Sequence, residues 1–113
     1  MYEYKATVVD VYDGDTIKVD IDLGFGVVLS RQTIRLTDIN TPEVKGVSKT
    51  AGISVREWVK ERILGKEIVL HTKKDSKGKY GRWLGVVIYV DESSGTNLNE
   101  ELVRTGRAER MSF

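Results

Sequence analysis

The chain has 113 residues, with 18 Lys+Arg against 17 Asp+Glu, a formal net charge of +1 and 40% hydrophobic residues. That length suits one domain with one small core, and no apolar run nears the roughly 18 residues of a membrane span. Zero cysteines and a single histidine, His71, exclude a disulfide framework, a thiol nucleophile and a thiolate or His-rich metal site.

Residues 4–12 are rich in β-branched and aromatic side chains and predict a strand. Asp13-Gly14 is a hairpin signal. Residues 16–23 alternate, with Ile17, Val19 and Ile21 on one face and Lys18, Asp20 and Asp22 on the other, which predicts a half-buried antiparallel strand. Gly24-Phe25-Gly26 turns the chain again. Residues 27–39 predict a third, longer strand with Arg35 on its less apolar face. Pro42 disfavours helix at Thr41, so this strand ends in an extended corner. Ala51, Val55, Trp58, Val59 and Ile63 recur at helical spacing and predict a helix over 50–64, stopped by Gly65. Residues 67–72 predict a fourth strand, 73–79 a basic loop, 82–90 a fifth strand and 93–95 a loop. Asn97 with Glu100 forms a capping box opening a short helix through Leu102 and Val103 to Gly106. The order β-β-β-α-β-β-α is the layout of a five-stranded OB-fold barrel, mainly β with two helices, and residues 1–113 read as a single domain.

The near-zero charge conceals a separation. Residues 1–44 carry 8 acids and 4 bases, residues 45–82 carry 11 bases and 4 acids, and residues 83–113 carry 5 acids and 3 bases. Such a pattern can hold a cation beside a polyanion, or it can simply coat a small surface. Three segments carry candidate chemistry: Asp13-Gly14-Asp15-Thr16 at a hairpin, Arg35 followed by Asn40-Thr41-Pro42-Glu43, and Lys79-Tyr80-Gly81-Arg82. Each has an ordinary alternative. Arg35 could form a cross-strand ion pair with an aspartate, Glu43 could serve as a helix N-terminal charge, and Lys79 and Tyr80 could be a solvated hairpin tip.

Together, VYDGDTIKV (11–19), TIRLTDINTPE (33–43), GKYGRWLG (78–85) and NEELVRTGRA (99–108) resemble the staphylococcal nuclease (thermonuclease) family in order and approximate spacing. The resemblance implies an OB-fold barrel and a Ca²⁺-dependent hydrolase of DNA and RNA that cuts on the 5′-oxygen side and leaves 3′-phosphates. It implies catalytic roles for Arg35, Glu43 and Arg82, metal ligation by Asp15, Asn40 and the Thr41 carbonyl, and a grip on a nucleotide's terminal phosphate by Lys79 and Tyr80. The residue types suit that work. A carboxylate can orient the attacking water, and guanidinium forks can meet the extra charge of a phosphorane-like transition state. Hard oxygen donors suit calcium.

The sequence departs from the family's pattern in places. Asn40 stands where the family has a second metal aspartate, which removes a charge from the site and predicts weakened metal binding. Asp38, two residues back, falls on the same side as Asn40 if the strand stays regular. The connection 45–50 is short, the aromatic near the end that stacks on the substrate base is unmatched at Ser112, and a third helix would follow Phe113. The expected state is a monomer without a membrane partner, with self-association as the way to cover a surface left open. An alternative function is an impaired nuclease-like module that binds nucleic acid or a protein. Residues 1–5 carry no signal-peptide pattern, and secreted and cytoplasmic locations both remain open.

Overall fold

The computed structural model describes residues 2–74, 83–91 and 94–111, with Lys73, Lys74 and Asp91 described by their backbone alone. In chain order the elements are β1 (Tyr2–Asp13), β2 (Thr16–Asp22), β3 (Val28–Leu36), β4 (Ile39–Asn40), a 3-10 turn (Gly46–Ser48), α1 (Lys49–Ile63), β5 (Glu67–Lys74), β6 (Trp83–Asp91), β7 (Ser94–Asn97), α2 (Leu98–Arg104) and β8 (Glu109–Arg110). β1, β2 and β3 form an antiparallel meander, β5 pairs with β1, and β6 with β5. β6 then meets β3 in a short parallel seam, with Ile34 to Leu36 against Trp83 to Gly85. This seam closes the five-stranded barrel that the sequence predicts.

The core follows the alternation. Ile17, Val19 and Ile21 of β2 point inward with Ile34 and Leu36 of β3, Ile68 and Leu70 of β5, and Val87 and Tyr89 of β6. β1 changes phase midway. Val8 pairs with Val19 but Asp10 pairs with Lys18, so Val9 is an extra residue, and both Val8 and Val11 are buried. α1 seals one end of the barrel with Val55, Val59 and Ile63, and its exit is stitched to the bulge by Gly65 N–H to Val8 O at 2.8 Å and Val8 N–H to Lys66 O at 3.0 Å. α2 adds Leu98 and Leu102. Its Asn99 is buried and donates to Thr37 O (3.2 Å) and Gly85 O (3.1 Å) while accepting from Val87 N–H (3.1 Å), which ties α2 to the parallel seam.

Several expectations need correction. The third strand does not run to Ile39: it ends at Leu36, Asp38 takes a left-handed conformation (φ 63°), and Ile39–Asn40 pairs separately with β8. An aspartate tolerates that conformation through local hydrogen bonding of its short side chain. Strand parity therefore does not carry from Asp38 to Asn40. Ser94 and Gly95, expected in a loop, belong to β7 because they pair with Asp91 and Val90 of β6, and the ladder overrides their turn preference. Ala51 is exposed and Gly52 is buried in its place, so the inward stripe of α1 runs Gly52, Val55, Val59, Ile63. The capping box is half formed: Asn97 Oδ1 accepts from Glu100 N–H, but the Glu100 carboxylate is turned to Arg110 by two bonds of 3.1 and 2.8 Å.

Candidate functional site

The β1–β2 turn brings two acids together. Asp13 pairs with Thr16 across Gly14-Asp15, a two-residue connection. Gly14 is required there by space: a Cβ would lie 2.5 Å from Val55 Cγ1 of α1 and 3.0 Å from Thr41. The turn is thus clamped between α1 and the chain leaving β4. Asp15 O accepts from Leu36 N–H (2.8 Å), which extends the β2–β3 ladder to the end of β3 and sets Asp15 beside Arg35.

Asp15 is 5% exposed and fully engaged. Oδ2 accepts from Thr41 N–H at 3.0 Å and pairs with Arg35 Nη1 at 3.3 Å, and Oδ1 accepts from Thr16 Oγ1 at 3.2 Å. Arg35 also donates from Nη1 to Leu36 O (2.9 Å) and from Nη2 to Asn40 Oδ1 (3.4 Å). Asp15, Arg35, Asn40 and Thr41 are therefore one cluster, held by the turn, the end of β3 and β4. The cross-strand ion pair set out as an alternative for Arg35 is present, and it is made with Asp15.

Asp13 lies in the candidate segment 13–16 but has no role assigned by the sequence, because Asp before Gly reads as turn chemistry. Its Oδ1 accepts from Asp15 N–H at 3.2 Å. Half-buried, and with a second carboxylate beside it, its carboxyl is pushed up from 3.8 to about 7, by burial first and by Asp15 next. The signal for it was two acids flanking one glycine. Thr41 is 3% exposed, and its Oγ1 is buried without a hydrogen-bond partner among the described residues.

Glu43 is exposed, and it lies five residues before Ser48, the N-cap of α1. No acid occupies the first turn of α1, so Glu43 is not a charge of that turn. Its backbone is fixed from the helix: Glu43 O accepts from Ser48 Oγ at 3.2 Å, and Gly52 packs directly against the same carbonyl. Lys79, Tyr80 and Arg82 lie outside the described residues. Among the described residues no three His, Cys, Asp or Glu side chains gather as a metal cluster. A cation here would draw on the Asp15 carboxylate plus amide and carbonyl oxygens of Asn40 and Thr41. That all-oxygen set fits a hard cation such as Ca²⁺.

Residues 33–113 match the family described as staphylococcal nuclease homologue. The chain is similar to endonuclease YhcR of Bacillus subtilis (strain 168), 32% identical over 115 residues, covering 94% of this chain and 9% of that protein. It is similar to micrococcal nuclease of Shigella flexneri, 32% identical over 113 residues, covering 94% of this chain and 58% of that one. Uncharacterized protein MJ1439 of Methanocaldococcus jannaschii is 27% identical over 126 residues, covering 93% and 58%. The chain thus spans less than two thirds of the length of each of these relatives. The family match takes in the end of β3, β4, both helices and the barrel seam, and with them Arg35, Asn40, Thr41 and Glu43. On the barrel, and on a match over well more than half its length, the chain belongs to the staphylococcal nuclease homologue family.

Proposed function

We propose that the chain, as one domain, hydrolyses phosphodiester bonds of DNA and RNA with the help of Ca²⁺, cutting on the 5′-oxygen side. The observation that carries this reading is the buried Asp15 held between Arg35 and the Thr41 amide, with a second carboxyl forced upward beside it. Asp15, the Asn40 amide oxygen and the Thr41 carbonyl would hold the cation. When bound, Ca²⁺ supplies Lewis-acid charge at the scissile phosphate. Glu43 orients a water and accepts its proton as the water oxygen bonds to phosphorus. Arg35 and Arg82 meet the charge that builds on the phosphoryl oxygens while the bond to the 5′-oxygen breaks. Lys79 and Tyr80 grip the terminal phosphate of the nucleotide.

A second reading, a module that binds nucleic acid or a protein without cutting, draws on Asn40, which brings no charge where the family has a carboxylate. Incubation with DNA and RNA, with and without millimolar Ca²⁺, beside Glu43→Ala separates the two. Slow Ca²⁺-dependent cleavage lost in Glu43→Ala supports the enzyme. Persistent binding with no cleavage in any metal supports the module, and cleavage equal in Glu43→Ala points to a contaminant.

A further inference from the structure

Two local rules are broken at the start of α1, and both exceptions meet at one atom. Ser48 is the N-cap residue, yet its side chain makes no capping bond. Its hydroxyl donates instead to Glu43 O at 3.2 Å. Four residues on, α1 carries a buried glycine, a residue that weakens helix interiors. A Cβ at Gly52 would overlap the Glu43 carbonyl carbon and oxygen and come within 2.8 Å of Val44 N. Here α1 leaves no room for a side chain between itself and the backbone of residue 43. The same face of α1 presses Val55 onto Gly14, the turn that carries Asp13 and Asp15.

We propose that Ser48 and Gly52 are positioning residues for Glu43: the serine hydroxyl pulls its carbonyl toward α1 and the bare glycine lets it seat there, which sets the direction from which the carboxylate meets its water. This role rests on the nuclease reading above. Glu43 itself is exposed, so its side chain gains direction from a fixed backbone rather than from burial. A methyl group at position 52 must push that carbonyl away by on the order of 1 Å to reach an ordinary carbon–oxygen separation. Misplacements of that size cost about 100-fold in rate.

The test uses the full chain, Ca²⁺ and single-stranded DNA. Gly52→Ala is expected to lower kcat about 100-fold, with KM and the half-maximal Ca²⁺ concentration each changed by less than about twofold. Ser48→Ala is expected to lower kcat by roughly 3- to 10-fold in the same pattern. Because both act through Glu43, adding either change to Glu43→Ala is expected to slow it no further. Alanine favours helix over glycine, so α1 is expected to hold, and the thermal midpoint checks this. If Gly52→Ala does not fold, Ser48→Ala and its pair with Glu43→Ala decide the matter. Undiminished kcat in the variants overturns the role, as does a double variant slower than Glu43→Ala by the full single-variant factor. No cleavage by the wild-type chain in any metal overturns this role together with the nuclease reading. An active wild type with undiminished variants overturns this role alone.

Discussion

Asp13 holds a proton that its unfolded chain would release. Burial and the neighbouring Asp15 push its carboxyl from 3.8 to about 7, so between those values the folded state binds more protons than the unfolded one. The contribution to stability is complete below pH 3.8 and is lost as pH rises toward 7. A shift of about 3 units corresponds to about 4 kcal/mol in full burial. The carboxyl is only half-buried, and solvent screening brings the expectation down to about 1–2 kcal/mol. Urea unfolding of Asp13→Asn beside wild type is therefore expected to favour the variant by that amount more at pH 8 than at pH 4, and a difference independent of pH would refute the account. At Asn40 the effect is on metal. Asn40→Asp restores a charge within reach of Arg35 and is expected to lower the half-maximal Ca²⁺ concentration about 10-fold in cleavage assays. Lowered activity at every Ca²⁺ concentration would count against Asn40 as a ligand position. Arg35 is legible from the alternation of β3, whereas Asn40 and Thr41 are marked in the sequence only by the resemblance of their segment to the family pattern, since strand parity breaks at Asp38. Asp13 is hidden by its turn context, and Gly52 is hidden because a residue without a side chain leaves no mark in an apolar pattern.

Among elements, the helices were placed by periodicity to within about two residues of their observed ends, while the strands shifted wherever pairing outranked local preference. β1 begins two residues before the expected Tyr4 because Tyr2 and Glu3 pair with Thr72 and His71 of β5. β7 forms from residues that read as a loop, and the third strand breaks at Asp38, whose positive φ no hydrophobic pattern encodes. The role of α2 was likewise unreadable, since its main bonds come from Asn99, a polar residue at a buried position. Asn99 donates to the Thr37 carbonyl, accepts from the Val87 N–H and shares the Gly85 carbonyl with the Thr37 N–H, at the point where β3 and β6 close the barrel. Asn99→Ala takes these bonds from the Thr37 carbonyl and the Val87 N–H at a buried position and leaves the Gly85 carbonyl with the Thr37 N–H. The expected loss is about 3 kcal/mol in urea unfolding, with the slope of the transition unchanged. A loss below about 1 kcal/mol would mean that α2 is not what holds the seam.

For the molecule as a whole, the candidate site is built on the β1–β2–β3 meander and adjoins the seam that closes the barrel. Leu36 N–H bonds to Asp15 O within the β2–β3 ladder, which brings the acids to the arginine, and Arg35 and Leu36 then pair with Leu84 and Gly85 of β6 where the barrel closes. Charge is distributed to match. The acidic first 44 residues contribute the turn and the corner, and the basic middle, with 11 bases against 4 acids, contributes the segment that carries Lys79 and Arg82. A net charge of +1 would otherwise argue against a grip on nucleic acid. If Arg35, Lys79 and Arg82 are the contacts that displace counterions from a single strand, three released ions at about 0.7 each give a slope near −2 for log affinity against log salt. The measurement is fluorescence anisotropy of a labelled single strand in EDTA, between roughly 50 and 300 mM KCl. Arg35→Met is expected to make the slope shallower by about 0.7, while Arg104→Met, an exposed arginine on α2, is expected to leave it unchanged. A slope near zero would place the affinity in base stacking instead, and equal effects of the two substitutions would mean that the grip follows total charge and not the site.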